Sequence, residues 1–344
     1  MPDQPSHAVR LVDVAKHLGL DKSTVSLALR DDARIHETTK ARVREAAQAL
    51  GYVRDPLLSA LSRRRSRHGS PDYRGVVAFL HHKSYEGPNW FPMTYFHGAN
   101  HRGSELGYQV EMFDSAALER PEQITGILKA RGVVGVILPS LHSAEIVPPL
   151  DFDSFTTVSC NFGEFSPVVP YARANHFAGV RMAFDYLYAL GHRRIGFAPL
   201  RHLYPLEDDF LRSGAAWFEQ FERLKRKDRV PLLHAKFKDF QAHLAWYFRY
   251  KPEAVICSLD IMRGTLVEAG VRIPEEVSYV SLSVSNHPQV TGVIDRGFDV
   301  GCSALELLDL ELRSGRKGVR TNNFSLAIEP AWHEGKTATA PTRN

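Results

Sequence analysis

Leu11-Val-Asp-Val-Ala-Lys-His-Leu-Gly-Leu-Asp-Lys-Ser-Thr-Val-Ser26 is the stretch on which the reading of this chain turns. Val14 and Leu18 stand four residues apart with Ala15 beside Val14, so a helix over Leu11 to Leu18 gathers them on one face. Gly19 ends that helix, because glycine enters the left-handed closing turn without a Cβ penalty. Asp21 is a suitable N-cap for a second helix, Lys22 to Leu29, since its carboxylate can accept from free backbone N–H groups. Val25, Ala28 and Leu29 form the inner face of that helix. A third helix, Glu37 to Leu50, turns Val43, Ala46, Ala47 and Leu50 inward and stops at Gly51. Two short helices joined by a tight glycine-containing turn and supported by a third match a helix-turn-helix. In that motif the second helix lies in the major groove and its first residues reach base edges. Here those residues are Lys22, Ser23 and Thr24, with Ser26 and Leu27 one turn on. Lys22 and Ser23 can donate to bases or phosphates, while Thr24 and Ser26 are short enough to let the backbone approach phosphate. Periodicity alone leaves a small helical domain that binds protein as the alternative.

Charge is distributed to match. Residues 1–74 hold 14 Lys+Arg against 9 Asp+Glu, which leaves 29 basic and 30 acidic residues in the other 270. Such asymmetry points to an anionic partner for the N-terminal part. A hydrophobic fraction of 44% and a charged fraction of 24% suit a globular protein of two or three units. Cys160, Cys257 and Cys302 are odd in number and far apart, so neither a disulfide framework nor a zinc spacing follows. Neither a secretory leader nor a run of ~18 apolar residues is visible, and the expectation is a cytoplasmic protein without membrane contact. Phosphate loop, dinucleotide fingerprint, nucleophile elbow and H-E-x-x-H are all missing. The sequence therefore predicts no enzyme, no catalytic residues, no metal site and no cofactor. His97 and His101, four apart on an expected helix, are read as surface residues.

The opening residues also carry a family resemblance. Asp13-Val-Ala15, Gly19 with Thr24-Val-Ser26, and Glu45-Ala-Ala-Gln-Ala-Leu-Gly-Tyr52 follow the pattern D-V-A, G-V-S-x-x-T-V-S, E-x-A-x-x-L-G-Y in order and spacing. This segment resembles the DNA-binding domain of the lactose-repressor (LacI) family. The resemblance implies a dimer on a near-palindromic double-stranded operator, with DNA contacts from Lys22, Ser23, Thr24, Ser26, Leu27, Thr39, Lys40, Tyr52, Leu58 and Leu61. It also implies a hinge of the type N-P-x-A-R-S-L, which folds on DNA and wedges a leucine into the minor groove. Asp55-Pro-Leu-Leu-Ser-Ala-Leu61 takes that place here, with Leu61 as the wedge. Leu57, Leu58 and Leu61 could equally pack against a partner's hinge. Three departures stand out: Leu27 for the arginine that commonly follows T-V-S, Asp55 for asparagine, and Leu58-Ser59 for Ala-Arg. Leucine cannot donate to guanine but can touch a thymine methyl, so a different operator is expected. Arg63, Arg64, Arg65 and Arg67 return positive charge near the backbone.

Beyond a polar linker, 63–74, helices and strands alternate. Strands are expected at 76–80, 108–113, 133–138, 155–160, 194–198, 254–257 and 277–282. Helices are expected at 93–106, 121–130, 177–190 and 261–269. Alternation of this kind gives parallel, doubly wound sheets. Leu190-Gly-His-Arg-Arg-Ile-Gly196 and Val271-Arg-Ile-Pro-Glu-Glu-Val-Ser278 resemble the same family's effector domain, a fold shared with periplasmic sugar-binding proteins. The fold class is thus an N-terminal all-α helix-turn-helix domain with hinge helix (1–62), followed by a two-lobed α/β effector-binding and dimerisation domain (75–334). Residues 335–344 read as a disordered tail. Ligands of open α/β sheets sit beyond the carboxyl ends of the strands. That rule selects Lys83, Ser140, Asn161, Asn175 with His176, Arg212, Asp260 and Ser283 for a small-molecule effector, with Trp90, Phe91 and Trp217 as stacking surfaces. Leu259-Asp260 and Ser283-Val284 stand where many relatives carry Asn-Asp and Asp-Asp. Three alternatives stay open: an effector other than an ordinary sugar, contacts from elsewhere, or no small ligand.

Overall fold

The computed structural model describes residues 11–29, 35–50, 73–81, 91–114, 123–139, 148–161, 167–199, 207–236, 238–284, 287–294, 296–319 and 324–341. The chain divides into two compact units, Met1–Tyr73 and Arg74–Asn344.

In the first unit, α1 (Leu11–Leu18), α2 (Lys22–Ala28) and α3 (Glu37–Ala49) each contribute small apolar side chains to one cluster. Val14, Ala15, Val25, Ala28, Val43, Ala46 and Ala47 are buried together. Their small size lets three short helices close around a common point. Gly19 takes φ +63°, the left-handed conformation expected of it. The Leu20 N–H then donates back to the Ala15 carbonyl at 3.0 Å and closes α1. One expectation is corrected. Asp21 occupies the N-cap of α2 with φ −66° and ψ 145°, but its carboxylate accepts no hydrogen bond from the helix. At α3 the N-cap is His36, whose ring accepts from the Thr38 N–H at 3.5 Å.

The second unit is built on two sheets. The first contains β1 (Gly75–His81), β2 (Tyr108–Asp114), β3 (Val133–Leu138), β4 (Thr156–Cys160), β5 (Tyr171–Ala174) and β10 (Ser325–Ile328), in the order β10-β5-β4-β3-β1-β2, all parallel. Strand β1 shows why helices must cover both faces. Val77 and Phe79 enter one cluster, with Tyr95 and Ala99 of α4 (Phe91–Leu106) and Leu305 and Leu308 of α10 (Gly297–Arg313). Val76, Ala78 and Leu80 enter the opposite cluster, with Ile124 and Leu128 of α5 (Ile124–Ala130). Alternate residues of one strand thus feed two cores, as a sheet buried on both sides requires.

The second sheet runs β11-β9-β8-β7-β6, from β6 (Ile195–Ala198), β7 (Ala254–Cys257), β8 (Ser278–Ser281), β9 (Gly292–Ile294) and β11 (Ala331–His333). β11 is antiparallel to β9, with Ala331 opposite Ile294. Val255 and Cys257 pack against Trp246 and Met262, from α8 (Phe240–Tyr250) and α9 (Met262–Glu268). Ala254 and Ile256 face the other way, against Val180 and Phe184 of α6 (His176–Leu190) and Ala215 and Ala216 of α7 (Glu207–Arg223).

Three segments carry the chain between these lobes: β5 to α6 through Asn175, β9 to α10 through Arg296, and β10 to β11 through Glu329 and Pro330. Arg296 adopts φ +52° where the chain turns into α10. The Asn175 N–H donates to the Ile328 carbonyl at 2.8 Å, tying the first crossing to the third.

Helices α4 and α10 meet backbone to backbone. A Cβ on Gly98 would collide with the Phe298 carbonyl, and one on Gly301 with the Tyr95 carbonyl. Near the far end of α10, Asp309 is 2% exposed and accepts from Arg74 Nη1 at 2.7 Å and from the Tyr108 hydroxyl at 2.8 Å. Arg313 adds a third partner. The residue with which the second unit begins is thereby fastened to the helix that follows the second crossing.

The expectation of a disordered tail is also corrected. Residues 335–341 lie along β8, whose first half has no neighbour in the direction of β9. The Tyr279 N–H donates to Thr337 O at 2.6 Å, and Thr337 Oγ1 donates to Tyr279 O at 2.7 Å. Further on, Thr339 O accepts from Ser278 Oγ at 2.9 Å and lies 2.8 Å from His192 Nε2. Hydroxyls and main chain satisfy the strand edge here in place of an apolar anchor.

Two predictions follow from this packing. Gly301→Ala inserts a methyl group where backbone already sits, and should destabilise the second unit by about 1–3 kcal/mol, read from the chemical denaturation midpoint of the full chain. His192 is the second case. Burial lowers its pKa, with the Thr339 carbonyl opposing, and its buried Nδ1 has no partner. A folded value below the unfolded ~6.5 means that the unfolded chain binds more protons in that window, so stability is lost as pH falls below about 6.5. His192→Gln should therefore flatten the loss of thermal stability between about pH 7 and 5; an unchanged slope counts against this assignment.

Candidate functional site

The first unit presents the outer side of α2. Val25 and Ala28 hold the helix to the core, so Lys22, Ser23, Thr24 and Leu27 face away from it. Lys22 and Ser23 are exposed, and Thr24 and Leu27 are half-buried. The side chain of Ser26 lies outside the described residues. A cation, two short hydroxyl side chains and a leucine thus share the accessible surface of one helix end. On α3, Thr39 is half-buried. Lys40 is 5% exposed, and its ammonium sits 2.6 Å from Glu37 Oε1. Tyr52, Leu58 and Leu61 lie outside the described residues, as do Lys83 and Ser140.

In the second unit, the expected effector residues fall in separate places. Asn161 ends β4 with φ +62°, donates from Nδ2 to the Tyr95 hydroxyl at 2.9 Å, and keeps a buried Oδ1 without a partner. Asp260 follows β7 and is held by Arg263 through two bonds of 2.8 and 2.7 Å, with His287 Nδ1 at 3.7 Å. Its carboxylate raises the Arg263 pKa through that hydrogen bond. Ser283 follows β8, and its N–H donates to Ser281 Oγ at 3.1 Å. Trp217 is 60% exposed and stacks on Phe221 at 5.3 Å.

Among the described residues of the expected set, Asn175, His176 and Arg212 come together. They line one recess along with Leu282, Val293 and Pro330. Asn175 caps α6 by accepting from the Ala178 N–H at 3.1 Å, and donates from Nδ2 to Glu329 Oε1 at 2.8 Å. Arg212 reaches in from α7, half-buried, and its Nε is buried without a partner. Leu282, Val293 and Pro330 were not legible as site residues. They are apolar, and Pro330 belongs to a crossing that only the folded chain reveals.

A helix-turn-helix head followed by a two-sheet core of periplasmic-binding-protein type defines a DNA-binding transcription regulator. Residues 10–55 match the family described as bacterial regulatory proteins, lacI family. The chain is 27% identical over 331 residues to the HTH-type transcriptional repressor CytR of Escherichia coli K12, covering 88% of this chain and 89% of that one. It is 26% identical over 292 residues to the HTH-type transcriptional regulator MalR of Streptomyces coelicolor, covering 80% of each. Among solved structures, the lac repressor dimer bound to operator and the anti-inducer ONPF superposes with a TM-score of 0.59 at 19% identity, over 97% of this chain and 100% of that one. A complex of the regulator CelR with cellobiose gives 0.59 at 21% identity, over 96% of this chain and 99% of that one. Residues 10–55 thus match the LacI-family DNA-binding domain, and most of the chain is similar to transcription regulators of that family. No helix among the described residues is long and apolar enough to cross a membrane.

Proposed function

We propose that this regulator binds a near-palindromic operator as a homodimer, represses transcription from it, and answers to a small effector bound between its lobes. The observation that carries this is the outward face of α2, with Lys22, Ser23, Thr24 and Leu27 accessible inside the segment that matches the family. Two such helices related by a two-fold axis read two half-sites, which is why the operator mirrors the dimer. Repression is favoured because the relatives CytR and PurR are named repressors. The protein would work in the cytoplasm, where its DNA is.

Residues 1–62 act as the reading head and hinge, 63–74 as the basic linker, and 75–334 as the sensor and dimerisation part. Thr39, Lys40 and Tyr52 contribute contacts that fix register on the phosphates. Lys40 must leave Glu37 to do so, or act by holding the start of α3. Leu58 and Leu61 supply the minor-groove wedge. A wedge unstacks a base step, costs a few kcal/mol, and so favours a deformable step at the operator centre.

An effector in the recess touches the first and third crossings and the strand β9 that leads into the second, and it shifts the lobes only as far as it binds one arrangement better than the other. Relatives in fold have been solved with cellobiose, ribose and glucose, so a sugar or sugar derivative is the class favoured by likeness. Asn161, Asn175, Arg212, Asp260 and Ser283, with Lys83 and Ser140, are the proposed contacts.

Two measurements test the reading head. Leu61→Ala should weaken binding to the selected operator by about 2 kcal/mol or more while nonspecific binding changes little; equal losses in gel-shift titrations would remove the wedge role. Leu27→Arg introduces a guanine-reading fork, so selection from randomised duplexes should return a different base at that position. An unchanged site means that Leu27 does not face the bases.

A further inference from the structure

We propose that the outward face of α7, with the basic turn that follows it, docks an acidic segment of another protein that carries apolar side chains among its carboxylates. This goes beyond DNA reading and effector binding, and it rests on neither.

Helix α7 buries Ala215, Ala216, Glu219 and Gln220. Its other side exposes Trp217, Phe218 and Phe221, three large rings within two turns. Trp217 and Phe221 stack at 5.3 Å, so they steady each other and still face solvent. Single exposed apolar residues are ordinary, but a contiguous apolar patch marks a contact site. The patch runs on into cations, and Arg229 is where the two join. Its guanidinium lies over the Phe221 ring at 4.6 Å, and its Nη2 donates to the Phe221 carbonyl at 2.8 Å. The turn Arg226–Asp228 follows α7, with Lys225, Arg226 and Lys227 all exposed. Arg194 ties that turn to the end of α8, donating to the Lys227 carbonyl at 3.3 Å and to the Tyr250 carbonyl at 2.5 Å. Arg193 stands beside Arg194, and Arg249 and Lys251 flank Tyr250.

Eight cations thus lie together, against three acids, Glu222, Asp228 and Glu253. Residues 75–344 as a whole hold 29 basic and 30 acidic side chains, so this charge is a local concentration. Its pairing differs from that of the neighbouring Arg223, which takes the carboxylates of Glu219 and Asp185. Among the described residues, Arg193, Arg194 and Arg229 donate only to main-chain carbonyls. None of the eight cations has a carboxylate within ion-pair distance among the described residues. Glu253 is engaged by the main chain, accepting from the Arg193 and Arg194 N–H groups at 2.8 and 3.1 Å. Neutral carbonyls orient a guanidinium without cancelling its charge, and crowded like charges leave a field that favours an incoming polyanion.

The mixture of rings and cations selects the occupant. A DNA duplex would neutralise the cations but leave the three rings unburied. Trp217 and Phe221, already stacked, open no slot for an unpaired base. A second copy placed across a two-fold axis through this face would bring Lys225, Arg226 and Lys227 against their own counterparts, and like charges repel. An acidic segment with leucine or phenylalanine between its carboxylates covers the rings and pairs with the cations at once.

The test uses the full chain and a fluorescent peptide of about 20 residues, in which pairs of glutamates alternate with leucine and phenylalanine. Polyglutamate, a lysine-for-glutamate version of the peptide and oligothymidine are the other probes. Fluorescence anisotropy reads binding, and the unfolding temperature checks that each variant is folded. The peptide should bind, its lysine version should not, and binding should weaken as sodium chloride is raised. Lys225→Glu combined with Arg226→Glu and Lys227→Glu should weaken it about tenfold or more. Trp217→Ala should weaken it about tenfold. The basic first unit is the same in every variant, so the difference between variants belongs to this face. Peptide binding that both changes leave untouched overturns the proposal. So does polyglutamate that binds as well as the peptide without dependence on Trp217, since the rings then play no part. Oligothymidine held through these residues more tightly than the peptide assigns the face to nucleic acid. A lower sedimenting mass in the charge-reversed variant assigns it to a second copy of the chain. Either of these last outcomes also overturns the proposal.

Discussion

A parallel strand cannot reach its neighbour through a hairpin, and both of its faces must be covered. Much of the second unit follows from this. Parallel neighbours such as β1 and β2 are joined through a helix, and such helices supply the two cores on either side of each sheet. Val76, Ala78 and Leu80 go to one core and Val77 and Phe79 to the other. Two separate sheets then need the chain to pass between them, which it does at Asn175, at Arg296 and at Glu329 with Pro330. Asn175 and Pro330, from two of these passages, line the recess beside Val293 of β9 and Arg212 of α7. Position and sensing are in this sense one problem. The glycine contact between α4 and α10 and the Asp309 cluster fasten the first lobe to the residue at which the second unit begins.

Function divides along the same lines. The first unit is too small to carry more than a reading surface. Its seven small core residues spend their volume on bringing three helices together, which leaves Lys22 and Ser23 of α2 exposed. The second unit has the area and the internal boundary that a ligand switch requires. A positive head joined to a nearly neutral core places attraction for phosphate where the bases are read.

Much of this was legible in the sequence, and the exceptions have physical causes. Gly19, the α1 and α3 cores and β1 follow directly from period and turn chemistry. At Asp21 the sequence places the cap, but a carboxylate at an N-cap need not accept from the helix, and here it does not. The second lobe was read less completely. α7 exposes Trp217, Phe218 and Phe221, so its apolar pattern does not mark one buried face. α10 buries Asp309 and Glu311, which hides its inner face from a hydrophobicity reading. β9 and β11 are three residues each, too short to show alternation. The C-terminal stretch has the composition of a loose end, yet Thr337 and Thr339 complete a strand edge through hydrogen bonds that composition cannot foretell. The strand-end rule selected Asn175, His176 and Arg212, which the fold brings to one recess. Asp260 was found too, but its carboxylate is already bound to Arg263. Partnering of this kind is a property of the fold and not of spacing.

The account stands or falls on whether the whole chain distinguishes one duplex from another. The most direct measurement is the ratio of its affinity for the best duplex recovered from a random pool to its affinity for unselected DNA, at physiological salt. The account predicts a ratio of about 10³ or more, on a site with two-fold symmetric halves whose centres lie about one helical turn apart. A ratio near one, or a site without symmetry, would contradict it.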